Sequence, residues 1–201
     1  MLDRLATELI KPGVNRLARV LLRAGINANQ LTVAGFLIGL FAALLIANNL
    51  YITGAIALFT SRLCDALDGA VARLTQPTDR GGFLDIALDF LFYAAIVLAF
   101  AFSDPTRNAL PAAVLLAAFM GTSTSFLAFA VIAAKRGMTS ANYPDKSFYF
   151  LGGLTEATET LACFAAMCVW PDHFVELAYG FAALCSITIV TRIGWGWRAF
   201  R

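Results

Sequence analysis

Six long apolar runs divide the chain, at roughly 31–49, 50–73, 82–102, 109–134, 147–170 and 172–195. Each is close to the about 20 residues that carry a helix across a bilayer. Pro77, Pro105, Pro144 and Pro171 fall in the connections, where a missing amide donor does little harm. The pattern predicts an all-α integral membrane protein with six transmembrane helices. Ahead of them, Leu2, Leu5, Ala6, Leu9 and Ile10 recur at helical spacing, and Pro12-Gly13 breaks the run. Val14, Leu17, Ala18, Leu21 and Leu22 then resume it, with Arg16, Arg19 and Arg23 on the other side. This suits amphipathic helices lying in the membrane interface, although the same stripe would also serve a helix packed on a core. The chain therefore divides into an N-terminal interfacial segment, 1–30, and a six-helix transmembrane domain, 31–201.

Composition strengthens this reading. Of 201 residues, 60% are hydrophobic and 14% charged, against about 45–50% and about 25% in a soluble domain. Cys64, Cys163, Cys168 and Cys185 all lie in apolar stretches with no CxxC pair or Cys/His cluster, which argues against zinc and for small buried hydrophobes. The N-terminus lacks the compact apolar core and small-residue cleavage site of a signal peptide, so none is expected. No nucleic-acid partner is expected.

The net charge of +2 matters less than where the charges lie. Arg4, Lys11, Arg16, Arg19 and Arg23 precede the first span, and Arg73 and Arg80 flank the second connection. Lys135, Arg136 and Lys146 occupy the fourth, and Arg192, Arg198 and Arg201 close the chain. Only Arg107 lies in the short connections opposite. The positive-inside rule then places both termini, and the junction of spans two and three, in the cytoplasm. Trp170, Trp195, Trp197 and Tyr51 read as interfacial anchors, and His173 as a residue of an outer connection.

At that junction the chain breaks its own pattern. The second and third spans read as the least apolar, and they carry Asp65, Asp68, Asp85 and Asp89. A carboxylate at the bilayer centre costs roughly 2.5–3.5 kcal/mol even on a lenient scale. Asp65 and Asp68 share one helix face, as do Asp85 and Asp89. The short connection, 74–81, makes the two helices antiparallel neighbours with opposed acidic faces. Oxygen ligands without Cys or His select Mg²⁺, Mn²⁺ or Ca²⁺. Four carboxylates exceed the needs of one Mg²⁺, so two ions, or one ion and a free carboxylate base, fit better. Such sites act on phosphates. Gly69 and Ala72 leave room for a bulky ligand, Arg73 offers a planar fork for a phosphate, and Gly81 permits a tight entry into the third span. Salt bridges to Arg62, Arg73 and Arg80 would be an expensive helix staple. An ion pathway would thread its acids through the membrane rather than cluster them at one end.

The run CDALDGAVAR, then LTQPTDR, then GGFLDIALD resembles the signature of the CDP-alcohol phosphotransferases (phosphatidyltransferases), D-x-x-D-G-x-x-A-R followed by G-x-x-x-D-x-x-x-D. All eight signature residues are present, and the spacer is one residue shorter than usual. Six spans and cytosolic termini extend the resemblance over nearly the whole chain, and its length resembles small bacterial inner-membrane members. The resemblance implies that Asp65, Asp68 and Asp85 ligate Mg²⁺ or Mn²⁺, in two ions. Asp89 would share the second ion and act as general base. Gly69, Ala72 and Arg73 would line the CDP site, with Gly81 shaping the entry to the third span. Asn29 and Thr32 resemble a segment near the cytidine, or else cap a helix. The implied reaction moves a phosphatidyl or similar group from a CDP-alcohol, CDP-diacylglycerol foremost, to an acceptor hydroxyl and releases CMP. A homodimer through small-residue faces is what the family suggests.

The acceptor side is less legible. Glu156 and Glu159, in GGLTEATET, are read on one face of the fifth span, lining the acceptor half of a cavity, or else pairing with Lys146 or Arg192 or joining a helix-packing network. Arg62, Lys135, Arg136 and Lys146 would supply positive charge toward a phosphorylated acceptor. Thr122, Ser123, Thr124 and Ser125 form a polar run that bonding to their own helix explains equally well. Two rival readings are a transporter and a catalytically silent member of the fold. Within enzymes, the acceptor could be a lipid such as phosphatidylglycerol or diacylglycerol.

Overall fold

The computed structural model describes residues 2–138 and 154–201, with side chains from residue 10 onward. Among the described residues the fold is helical throughout. Its helices are α1 (Leu2–Arg23), α2 (Ala28–Ala47), α3 (Tyr51–Leu74), α4 (Asp79–Ser103), α5 (Pro105–Lys135), α6 (Ala157–Val169) and α7 (Phe174–Ala199), with a 3-10 turn at Pro171–His173 before α7.

Local chemistry sets the helix ends. Gly25, at φ +80°, closes α1 in a left-handed turn, with the Ile26 amide donating to Leu21 O and the Gly25 amide to Leu22 O. Asn49 (φ 64°) and Gly137 (φ 65°) end α2 and α5 the same way. Asn27 opens α2 through a reciprocal capping box with Gln30. Thr78 caps α4 by accepting from the Gly81 amide at 3.1 Å. Asp104 caps α5, and the Thr106 hydroxyl and Arg107 amide that donate to it hold its carboxyl below the usual carboxylate range.

Four helices are long and apolar enough to cross a membrane: Ala28–Ala47, Asp79–Ser103, Pro105–Lys135 and Pro171–Ala199. The six spans read from the sequence are thus matched in four. α3, with 24 residues, has the length but carries Arg62, Asp65, Asp68 and Arg73. α6 has only 13 residues, and the expected run 147–170 begins outside the described residues. The third span is also more apolar than it reads: the best stretch of α4 averages a hydropathy of 2.2, the same as α2. Its acids are confined to the first three turns, and everything beyond Asp89 is apolar or aromatic up to Ser103.

α1 does not break at Pro12-Gly13 but runs through as one helix. Pro12 is exposed, so the backbone bond its ring forfeits lies away from the core. The second half of α1 docks on the bundle: Val14 and Ala18 are buried with Leu31, Leu67, Ala70 and Val71. Leu17 and Val20 remain exposed.

α2 packs against both α3 and α4, which meet each other chiefly through side chains. Close approach is built in at two glycines. A Cβ on Gly35 would lie 3.0 Å from Cys64 Cβ, and one on Gly39 would lie 2.5 Å from the Phe92 ring. Ser61 ties α3 to α2 by donating to Gly35 O at 2.7 Å. On the other side α5 packs on α7 and on α4. Phe119 of α5 meets Tyr93, Phe164 and Phe181 edge-on at 6.1–6.4 Å, and Phe100 stacks on Phe174 at 4.9 Å. This aromatic core joins α4 through α7 beneath a cavity that opens between the two halves.

Tyr51, at the start of α3, stacks on Phe100 and donates to Asn49. Trp170, Trp195 and Trp197 are more than half exposed, as anchors require.

Candidate active site

The acidic ends of α3 and α4 form one wall of a cavity of about 860 Å³, within the range of roughly 300–1,000 Å³ usual for small-ligand sites. Helical spacing puts Asp65 and Asp68 on one face of α3 and Asp85 and Asp89 on one face of α4. Ligand oxygens of Asp65, Asp68 and Asp85 converge within 4.8 Å of one another. Asp68 is buried, and its Oδ2 has no hydrogen-bond partner. Three hard oxygen donors around an orphaned buried carboxylate oxygen fit a divalent cation, since an isolated carboxylate so placed is costly.

Arg62 takes a place that was not expected of it. Its Nη1 donates to Asp89 Oδ1 at 2.6 Å and lies 3.4 Å from Asp65 Oδ1. The guanidinium sits 3.8 Å from the centre of the Phe92 ring. It therefore stands behind the carboxylates, outside the lining of the main cavity. Its reach is short because it lies one turn before Asp65 on the same helix. The pairing set aside as an expensive staple thus exists for Arg62, with the ring beneath it compensating part of the desolvation. Arg73 is exposed at the end of α3 and lines the cavity.

The mouth of the cavity gathers the other signature residues. Gly69, Ala72, Arg73 and Gly81 line it, as do Asn29 and Thr32 from the first turns of α2. Gly81 is needed for space: a Cβ there would lie 3.0 Å from Asn29 Oδ1 and 3.2 Å from Thr78 Oγ1. Asn29 and Thr32 are not the cap of α2, a role that falls to Asn27.

At the far end, Glu156 and Glu159 separate. The helix begins at Ala157, so Glu156 is its N-cap rather than part of a continuous span. Glu156 is buried and lines the cavity. Glu159 does not; its Oε2 accepts the Glu156 amide at 3.1 Å as the return arm of a capping box. Thr155 beside it donates to Thr188 of α7 at 3.0 Å. Lys146 lies outside the described residues. Arg136 donates to the carbonyls of Ala199 and Phe200 at the end of α7 and does not enter the cavity. The polar run of α5 bonds largely to its own helix, yet Thr122 and Ser123 also line the cavity.

Sequence reasoning did not place Arg192 in the cavity. In the sequence it stands as a basic residue closing the chain and as the alternative partner of Glu156 or Glu159, and the structure does set it in electrostatic contact with Glu156. Arg192 is buried, lines the cavity and donates from Nη1 to Thr122 O at 3.1 Å. The signal available was an arginine inside the apolar run SITIVTRIGW, away from the helix end. Tyr93 also lines the cavity, one turn after Asp89.

Comparison with known proteins fits this geometry. The chain is 47% identical over 197 residues to "Inner membrane protein YnjF" of Escherichia coli strain K12, covering 98% of this chain and 96% of that one. It is 37% identical over 108 residues to the archaetidylinositol phosphate synthase of Pyrococcus horikoshii, covering 53% of this chain and 57% of that one. Its fold matches the crystal structure of Mycobacterium tuberculosis phosphatidylinositol phosphate synthase (PgsA1) with CDP-DAG bound, at a TM-score of 0.72 and 22% identity, over 92% of this chain and 93% of that one. The same enzyme in complex with manganese and citrate matches at 0.71 and 23% identity, over 92% and 88%. The CDP-alcohol phosphatidyltransferase family profile matches residues 26–192, a stretch that holds every carboxylate described above, and the chain belongs to that family.

Proposed function

We propose that the protein is a metal-dependent phosphatidyltransferase that moves a phosphatidyl group from CDP-diacylglycerol to an acceptor hydroxyl and releases CMP. The observation that carries this reading is the convergence of Asp65, Asp68 and Asp85 within 4.8 Å of one another, beside a cavity that Asp68, Asp85 and Asp89 line. A fold neighbour bound to CDP-DAG and another bound to manganese support the same donor and the same class of ion.

Asp65, Asp68 and Asp85 would hold one Mg²⁺ or Mn²⁺, and Asp89 would share a second. When bound, the ions polarise the pyrophosphate oxygens and offset charge on the departing phosphate. Gly69, Ala72 and Gly81 leave the space in which the nucleotide diphosphate lies against backbone, with Asn29 and Thr32 beside the base and Arg73 clamping a phosphate oxygen. Asp89 takes the proton of the acceptor hydroxyl. The acceptor oxygen bonds to the phosphorus of the phosphatidyl group while the bond from that phosphorus to the bridging oxygen breaks, and CMP leaves with the electron pair. Arg62 holds one oxygen of Asp89, which orients the carboxylate for that transfer.

α3 and the segment ending in α6 would complete six membrane crossings. Both termini and the carboxylates would face the cytoplasm, in a bacterial inner membrane and as a homodimer. The full inner-membrane relative supports that location.

The test is CMP release from CDP-diacylglycerol by purified protein with Mn²⁺, across glycerol 3-phosphate, serine, inositol, inositol phosphate, glycerol and phosphatidylglycerol. Release that needs one acceptor and vanishes in Asp89→Asn supports the reading. No release with any acceptor defeats it and favours a silent member of the fold.

A further inference from the structure

Asp89 has more tasks than free oxygens. Its Oδ1 accepts a hydrogen bond from Arg62 Nη1 at 2.6 Å, the short distance of a charged pair. The transfer reading also gives Asp89 a share of the second ion and the proton of the acceptor. The other three carboxylates stand differently. Oxygens of Asp65, Asp68 and Asp85 converge within 4.8 Å of one another, and Asp89 lies outside that group. A small cavity of about 10 Å³ is lined by Arg62, Asp65, Asp85 and Asp89 among others. That is room for one water-sized body. An ion shared there between Asp89 and its neighbours would meet the guanidinium.

Arg62 is fixed in that position from several sides. Its Nη2 donates to Ser61 Oγ at 3.3 Å, and Ser61 is itself tied to Gly35 O. The Phe92 ring lies 3.8 Å from the guanidinium, and Nη1 is also 3.4 Å from Asp65 Oδ1. The Arg62 side chain is only 10% exposed. Taking one partner from a buried ion pair leaves an uncompensated charge. Asp89 is 33% exposed, so solvent lowers that cost without removing it.

We propose that Arg62 is a positioning residue that competes with the second ion for Asp89 and so makes the two ions bind in order. The first ion, on Asp65, Asp68 and Asp85, leaves the bond between Arg62 and Asp89 intact. The second must draw Asp89 from the arginine and face its positive charge, and repulsion between the two cations adds to the lost bond. The inference rests on the metal-dependent reading, but it is measured by ion binding and needs no turnover.

The experiment is a Mn²⁺ titration of the purified full chain without nucleotide, followed by the EPR signal of free Mn²⁺. It compares the wild type with Arg62→Gln, Arg62→Lys and Phe92→Leu. The wild type should hold a second Mn²⁺ at least about tenfold more weakly than the first. Arg62→Gln keeps a donor and loses the charge, and should tighten the second ion at least about tenfold while shifting the first less. A wild type that holds a single Mn²⁺ while Arg62→Gln holds two is the same result at its limit. Arg62→Lys keeps the charge and should keep most of the gap. Phe92→Leu takes the ring from beneath the guanidinium and should narrow the gap in the same direction as Arg62→Gln. Two ions of equal affinity in the wild type overturn the proposal, as does a gap that closes in Arg62→Lys. So does a gap that Arg62→Gln leaves unchanged or, where that variant does not fold, one that Phe92→Leu leaves unchanged. No Mn²⁺ bound by the wild type defeats the metal-dependent reading itself, whereas a gap indifferent to Arg62 defeats the competition alone.

Discussion

The two ends of the cavity are built by different means. The donor end draws its carboxylates from two helices joined by a short connection, within residues 65–89. Helical periodicity alone groups those side chains, and α2 then wedges the two faces into register through Gly35 and Gly39. The far end is assembled from residues more than 30 apart, Glu156 and Arg192, with the α5 carbonyl of Thr122 as third partner. The donor end is therefore one local unit along the chain, which is why a short family signature can describe it. The far end depends on how α5, α6 and α7 pack, so no short run of sequence describes it.

Substitutions should divide along that line. The largest effect belongs to Asp89→Asn, which should lower CMP release by roughly 10²- to 10⁴-fold with the CDP affinity retained. Equal loss of CDP and metal binding would make Asp89 mainly a ligand. Asp68→Asn should abolish stabilisation by Mn²⁺. The wild type should gain about 2.7 kcal/mol when the ion is at 100 times its dissociation constant, read as a melting shift that chelator removes. An undiminished shift in Asp68→Asn would move the ion elsewhere.

Gly39→Leu probes the wedge itself, because its Cβ would meet Phe92 at 2.5 Å. Overpacking of this kind costs about 1–3 kcal/mol, and the lost register should reduce metal affinity along with the melting temperature. A melting change with intact metal binding would show that the carboxylates do not need the wedge. Gly81→Ala should be milder. It crowds Asn29 and Thr78, so the donor KM should rise several-fold on the scale of one lost contact while acceptor dependence stays fixed.

The smallest effect lies outside both ends. Asp104 has a carboxyl held below its usual range by the Thr106 hydroxyl. A depressed carboxylate contributes stability above its unfolded value of about 3.9 and loses it as pH falls through the lower folded value. Asp104→Ala should lower the melting temperature slightly at neutral pH, and the difference from wild type should shrink in acid. Turnover should not change, since the residue touches neither end of the cavity.

Much of the donor end was legible without coordinates. A spacing of three or four residues fixes a shared helix face, an intramembrane acid demands compensation, and a short connection brings two such faces together. The signature residues Asp65, Asp68, Gly69, Ala72, Arg73, Gly81, Asp85 and Asp89 needed no tertiary information to be grouped. The helical class and four of the apolar spans were legible for the same reason: both follow from periodicity and length. What only the tertiary structure decided is which charges meet across the bundle. Arg62 turned behind the carboxylates because Phe92 of α4 offers it a ring. Glu159 turned to its own helix end because α6 starts one residue after Glu156. Arg192 turned inward because the packing of α7 on α5 puts Thr122 O within its reach. Sequence patterns record distances along the chain, whereas burial and pairing of a charge depend on distances across it.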